Sequence, residues 1–205
     1  MAIIYPLALP TVTGIRSVDL TASNAVAISR SPFTYNSQVL HWGGEMWSAG
    51  VTLPPMKRST SETWVSFLMS LRGQYGTFLM GDPKGSVSRG LASNFAGAPI
   101  VTAQTGSTIS VTGASASKTG WLLAGDYIQI GTAIDATLHK VLQDASTSAD
   151  GEVTLEVWPA LRGSRTGAVI VTNAQGVFRL SSNETSWSID EASIYGITFA
   201  AVEKI

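Results

Sequence analysis

The chain has 205 residues, enough for one large domain or two small ones. Hydrophobic residues make up 44% and charged residues only 13%, which excludes a disordered polymer and is typical of an assembly subunit or a secreted β protein. A net charge of −1 gives no reason to expect nucleic-acid specificity, and the absence of cysteine excludes disulfides, thiol nucleophiles and Cys-based zinc sites.

The N-terminal third of the sequence is typical of β-strands. The opening MAIIYPLALPTVTG is apolar but has no basic lead and is interrupted by Pro6 and Pro10, so we expect a strand or arm and not a signal peptide. Short alternating segments follow at residues 14–21, 24–31, 36–42 and 45–53. Gly43 and Gly44 predict a tight hairpin turn between the last two of them.

One segment has a helical period instead. In STSETWVSFLMSLRG the apolar residues Trp64, Phe67, Leu68 and Leu71 fall on one stripe, which predicts a helix over 60–72 that packs on a sheet. Ser59 and Glu62 are spaced as a capping box, and Gly73 stands where a helix stop is expected.

The stretch FLMGDPKGSVSRG, residues 78–90, combines glycines with acidic, basic and hydroxyl residues. A phosphate-binding loop is rejected, because Asp82 stands where a P-loop has Lys and no helical pattern follows. Its glycines and Pro83 are typical of a chain reversal. We therefore expect Lys84 and Arg89 to contact other subunits or domains, and we expect Asp82→Ala or Lys84→Ala to disturb assembly or domain placement.

The rest of the chain is again rich in short strands. Residues 107–113, 125–131, 137–145 and 152–161 predict a small β-barrel or sandwich, and plain alternation returns at 168–172, 176–182, 185–190 and 194–203. The predicted fold is mainly β: a β-sandwich with one packed helix, built from residues 1–90 and 166–205, and an inserted small β domain at 91–165. Two sequential domains are the alternative.

No catalytic or metal site is predicted. The two histidines, His41 and His139, lie outside any metal-ligand motif and are interpreted as ordinary strand residues, and no G-x-S-x-G elbow is present. Isolated carboxylates such as Asp82 and Asp126 suit turns better than an acid–base pair. We predict no enzymatic activity, no metal and no cofactor.

Two features of the composition bear on interactions. Six tryptophans is a high number for this length, and each is expected either to pack in a core or interface or to stack on sugar rings. Residues 1–100 carry seven Lys and Arg against four Asp and Glu, and residues 101–205 carry six against ten. This asymmetry arises by chance or reflects a head-to-tail contact between neighbouring copies.

Two stretches together resemble the distal tail protein of long-tailed, siphovirus-type bacteriophages. In residues 41–90 the similarity is carried by the tryptophans around GGEMW, by LPPM before a helix with W-x-x-F-L, and by G-x-x-G-T-F leading into GDP. In residues 106–162 it is carried by GSTISVTG, LLAGDYIQIG, HKVLQDA and DGEVTLEVWPALR. The glycine loop departs from the family pattern at Ser88-Arg89-Gly90, where Pro-Arg-Gly is usual.

The resemblance implies a structural virion protein. Such proteins have a β-sandwich belt domain with a helix, form a hexameric ring, and join the tail tube to the baseplate hub or fibre. A second domain often projects outward and resembles carbohydrate-binding folds. The implied location is the phage tail tip, with assembly in the host cytoplasm.

The expected partners are therefore other copies of the chain, the tail tube protein and the hub. The predicted contact residues are Lys84, Arg89, Trp42, Trp47 and Trp121. The alternative function is a carbohydrate-binding β-sandwich module that recognises a glycan on the host surface.

Overall fold

The computed structural model describes residues 2–205 and shows a mainly β protein with two sheets and one α-helix, as predicted. The strands before the helix are β1 (Leu7–Ala8), β2 (Ser17–Arg30), β3 (Ser37–Thr52) and β4 (Met56–Lys57). The helix α1 spans Arg58–Ser70. The later strands are β5 (Phe78–Met80), β6 (Gly97–Ala114), β7 (Tyr127–Ile130), β8 (Thr137–Val141), β9 (Val153–Ile170), β10 (Gly176–Leu180), β11 (Trp187–Ile189) and β12 (Ile194–Glu203).

The first sheet has the strand order β1-β5-β10-β12-β3-β2, and the short strands β4 and β11 also pair with β12. Its inner face carries Trp47, Val51, Ile197 and other apolar residues that alternate along the strands, as a half-buried sheet requires. Strand β1 runs parallel to β5, whereas β2, β3, β10 and β12 form an antiparallel series.

The helix covers this inner face as expected from its stripe. Trp64, Phe67, Leu68 and Leu71 are all buried. The Trp64 ring lies 6.3 Å from the Phe199 ring, and the Phe67 ring lies 5.7 Å edge-on from the Phe78 ring. Such aromatic pairs add to the stabilisation from burial alone.

The predicted capping box is wrong. The helix begins two residues earlier than predicted, with Lys57 at the N-cap position and no side chain capping the first turn. Glu62 instead pairs with Arg58 one turn away, at 3.2 Å. Ser59 therefore lies inside the helix, where its hydroxyl cannot act as a cap.

The second sheet has the order β6-β9-β7-β8 and takes all its strands from residues 97–170. It surrounds a separate apolar core that includes Ile109, Trp121, Ile128 and Leu155. The chain then returns to the first sheet at β10, which pairs with β5 and β12. The division into a belt domain and an inserted domain at 91–165 stays a prediction.

One predicted strand belongs elsewhere. Residues 168–172 were expected to rejoin the first sheet, but Ala168 pairs with Ile100 and Val169 pairs with Ile130, so this segment ends the second sheet. The apolar alternation that predicted the strand does not distinguish which sheet it joins.

The hairpin turn predicted at Gly43 and Gly44 is also wrong. Both glycines lie within β3, and the turn of the β2–β3 hairpin is formed by residues 31–36. Gly43 does adopt a positive φ of 71°, but it does so at a β-bulge where the register with β2 shifts between Asn24 and Val26.

Candidate functional site

The most unusual surface is the outer part of the β2–β3 hairpin, residues 22–44, which we call the arm. Every arm residue except Ser31 is exposed, on both faces of the ribbon. Strand β12 pairs with β3 only from Ser48 to Thr52, so nothing in the described part of the chain pairs with either outer edge of the arm. An isolated two-stranded ribbon is only marginally stable in water.

The arm is also apolar. Seven of its large hydrophobic side chains are exposed: Val26, Ile28, Phe33, Tyr35, Val39, Leu40 and Trp42. The pairing of Ile28 with Val39 and of Ala27 with Leu40 places apolar side chains on both faces. Its only formally charged side chain is Arg30. Natural edge strands usually carry charges or prolines that prevent pairing, so this surface is suited to contact another molecule.

The tip of the arm is held by local contacts. The Ser31 hydroxyl accepts hydrogen bonds from the backbone N–H groups of Phe33 and Thr34, both at 3.3 Å. The Arg30 guanidinium lies 5.0 Å from the centre of the Tyr35 ring and also donates to the Tyr35 carbonyl. These contacts fix the turn that presents Phe33, whose side chain is 92% exposed.

The root of the arm is bound by the second sheet. The Trp158 indole N–H donates to the Asn24 side chain at 2.8 Å, and the Ala160 N–H donates to the Glu45 carboxylate at 2.6 Å. Arg162 contacts the Glu45 carbonyl and pairs with the buried carboxylate of Glu203 at 2.9 Å. Strand β9 therefore determines the direction in which the arm leaves the first sheet.

A second junction lies at the 78–90 loop. Asp126, only 4% exposed, accepts hydrogen bonds from the backbone N–H groups of Arg89 (2.9 Å), Gly90 (3.2 Å) and Leu123 (2.9 Å). The loop passes so close to the second sheet that a Cβ on Gly85 would lie 2.7 Å from the Tyr127 ring. The sequence pattern predicts only a turn role for Asp126. The fold shows that Asp126 also joins the 78–90 loop to β7.

The five predicted contact residues have different environments. Trp42 is 69% exposed on the arm, but Trp47 and Trp121 are buried in the first and second cores and are unavailable to a partner. This corrects the prediction for both tryptophans, since a strand pattern alone does not reveal which face is covered. Lys84 is exposed, and Arg89 is exposed while its guanidinium pairs with Asp126 at 3.5 Å.

The two histidines occupy unrelated places. His41 lies on the arm, 3.9 Å from the Glu45 carboxylate. His139 is buried, with Nδ1 2.6 Å from the Pro159 carbonyl and Nε2 2.8 Å from the Thr137 hydroxyl. Burial, with a smaller contribution from the nearby Arg162 and Arg165 charges, lowers the pKa of His139 to about 4. Its ring is therefore neutral and structural near pH 7.

Among residues 2–205, no three His, Asp or Glu side chains are grouped closely enough to hold a metal ion. The surface of the second sheet does contain a groove of about 620 Å³, lined by Asp144, Glu152 and several Ser and Thr residues. Its lining includes no aromatic ring, although aromatic rings are the groups that stack on sugars.

Comparison with known proteins gives no identification: no protein-family model matches the sequence, and no curated protein matches it either. Within the described residues, no helix is both long and apolar enough to cross a membrane.

Proposed function

We propose that the chain is a ring-forming structural subunit of a phage tail tip, which joins the tail tube to the baseplate hub. The observation that carries the proposal is the arm, an apolar ribbon whose outer edges pair with no strand in residues 2–205. Its exposed apolar side chains and its two open backbone edges gain stability only when another molecule covers them.

A ring would supply a surface that covers the arm. A contact between the arm of one copy and a different surface of the next is heterologous, and heterologous contacts repeat around a closed ring when the rotation permits. The tail-tip assignment within this class depends on the sequence resemblance in residues 41–90 and 106–162. The first of these stretches includes part of the arm, the helix and the loop bound by Asp126.

The test is a variant with a shortened arm. Asn24 pairs directly with Glu45, so residues 25–44 can be replaced by Asn-Gly, a favourable two-residue turn. Because the arm residues are exposed, we expect the variant to fold and to unfold cooperatively at a temperature close to that of the wild type. We expect the wild-type chain to form rings in negative-stain micrographs at high concentration or with tube and hub proteins, and the shortened variant to stay monomeric.

Two outcomes would contradict the proposal. One is a wild-type chain that stays monomeric under all those conditions. The other is a shortened variant that assembles as well as the wild type, because the arm would then have no part in the contact.

Carbohydrate binding is the second candidate, and the exposed Trp42 favours it. An exposed indole on an apolar ribbon can stack on a sugar ring. A glycan array and quenching of tryptophan fluorescence test it, with Trp42→Ala as the control. Binding that is lost in this variant would support glycan recognition, and no signal in either assay would exclude it.

A further inference from the structure

An open recess of about 410 Å³ lies at the root of the arm, beside the β-bulge, and we call it the arm-root cavity. Its apolar lining comes from Ala25, Met46 and Ile205, and Glu45 and Arg162 line it as well. The cavity is open to the surface, so an apolar side chain from outside could enter it.

The bulge shapes this cavity. The register between β2 and β3 shifts between Asn24 and Val26, which leaves Ala25 facing Gly44 without a ladder partner. A Cβ on Gly44 would lie 2.9 Å from the Ala25 Cβ, so a larger residue at position 44 would crowd Ala25. The recess beside this close approach is lined by both residues and has no side chain of its own to fill it.

The arm tip presents a side chain of suitable chemistry. Phe33 is 92% exposed, more than any other large hydrophobic residue in the described part of the chain. The hydrogen bonds to Ser31 and the contact of Arg30 with Tyr35 hold this turn in place. Binding through a preorganised tip loses less conformational entropy than binding through a flexible loop.

We infer that Phe33 of one copy inserts into the arm-root cavity of the next copy. This inference rests on the proposed ring function and names the contact that builds the ring. Strand β2 is extended from Ala25 to Arg30, a span of roughly 17 Å, and the turn with Phe33 lies beyond it, so a tip cannot reach its own root.

Charge favours a second copy as the occupant. Arg162 in the cavity lining is already paired with Glu203 at 2.9 Å, which leaves Glu45 as the lining charge that can meet Arg30 beside the tip. The unpaired backbone groups along both edges of the arm disfavour a lipid bilayer, because each such group buried in hydrocarbon costs several kcal/mol. Tip and cavity are different surfaces, so successive contacts build a head-to-tail series of copies, whereas reciprocal docking of two copies would give only a closed dimer.

Cysteine cross-linking tests the contact directly, because the chain has no cysteine of its own. Loss of the Phe33 ring weakens the contact, but a disulfide traps each encounter, so under mild oxidation at high protein concentration we expect the double variant Phe33→Cys/Met46→Cys to give a ladder of covalent oligomers on a non-reducing gel. The control Phe33→Cys/Gln143→Cys pairs the tip with an exposed position beside the second sheet and should give no ladder. Two results would overturn the inference. One is an equal ladder from both variants, and the other is a dimer joined only through the cysteines introduced at position 33 of two copies.

A second variant measures the contribution of the inserted ring. Phe33→Ser should weaken association at least about tenfold, because it removes a buried aromatic anchor from the contact. Thr34→Ala, at the neighbouring exposed position, should have little effect. The wild-type chain and Phe33→Ser are also sedimented with phosphatidylcholine vesicles. If only the wild-type chain sediments with them, the tip binds a membrane and the inference is overturned.

The two proposals fail in different ways. Rings in micrographs without the 33–46 cross-link would overturn the docking of Phe33 and leave the ring function in place. A wild-type chain without any assembly would remove both.

Discussion

Asp126 joins two parts of the molecule that are distant in sequence. Its carboxylate accepts backbone hydrogen bonds from Arg89 and Gly90 in the 78–90 loop and from Leu123 before β7. The carboxylate is buried and these three hydrogen bonds are partly buried, so water would replace the carboxylate only in part. This residue therefore holds the 78–90 loop against the second sheet.

We expect Asp126→Ala to lower the free energy of unfolding by about 3 kcal/mol, since it leaves three partly buried N–H groups without an acceptor. Asp82→Ala is the matched control: Asp82 makes one local hydrogen bond, from the Lys84 N–H at 2.8 Å, and should cost about 1 kcal/mol or less. Urea denaturation of both variants measures the difference. Equal losses would show that Asp126 is an ordinary turn residue.

His139 makes stability depend on pH. The pKa is about 4 in the folded protein, against the ordinary 6.5, so the unfolded chain binds a proton more readily than the folded chain does. The contribution of the neutral ring is complete above pH 6.5 and decreases as the pH falls from 6.5 towards 4. At pH 5 we expect a loss of about 2 kcal/mol relative to pH 7.

The measurement is urea denaturation at pH 7 and pH 5 for the wild type and for His139→Gln. Glutamine keeps a donor and an acceptor near the Pro159 carbonyl and the Thr137 hydroxyl but does not titrate. The difference between the two pH values should be smaller in the variant by about 2 kcal/mol. A wild type and variant with the same pH dependence would show that His139 titrates normally.

At the scale of elements, the helix was predictable because one stripe of large apolar residues determines both its period and its buried face. The stripe from Trp64 to Leu71 is buried as expected. The capping box was not predictable, because Ser59 and Glu62 satisfy the spacing rule whether the helix begins before or after them. Main-chain geometry at Lys57 decides where the helix begins.

The arm shows where local sequence signals mislead. A Gly-Gly pair between alternating segments favours a tight turn, and a bulge in a long strand uses the same positive φ. The two possibilities differ in which strands pair, and that depends on contacts far along the chain. Trp158 and Ala160, more than 100 residues away, hold the root of the arm in its long form.

At the scale of the whole molecule, the mainly β class was predictable from alternation and turn residues, and the interaction surface was predictable only in part. Trp42 was identified before the structure, but the remaining apolar side chains of the arm were assigned to ordinary strands. Alternation predicts one buried face on each strand, whereas the arm has no buried face at all.

The proposed contact between copies leads to a final prediction about salt. If the contact depended on the basic first half and the acidic second half of the chain, screening would weaken it strongly. The arm has one formal charge and seven exposed large apolar side chains, so burial of apolar surface should dominate. Between 0.1 M and 1 M NaCl the screening length falls from about 10 Å to about 3 Å, and we expect the association constant to change by no more than about threefold.

Sedimentation velocity over a range of protein concentrations measures this association constant. Dissociation of the assembly at 1 M NaCl would indicate that charge, not the arm, holds neighbouring copies together.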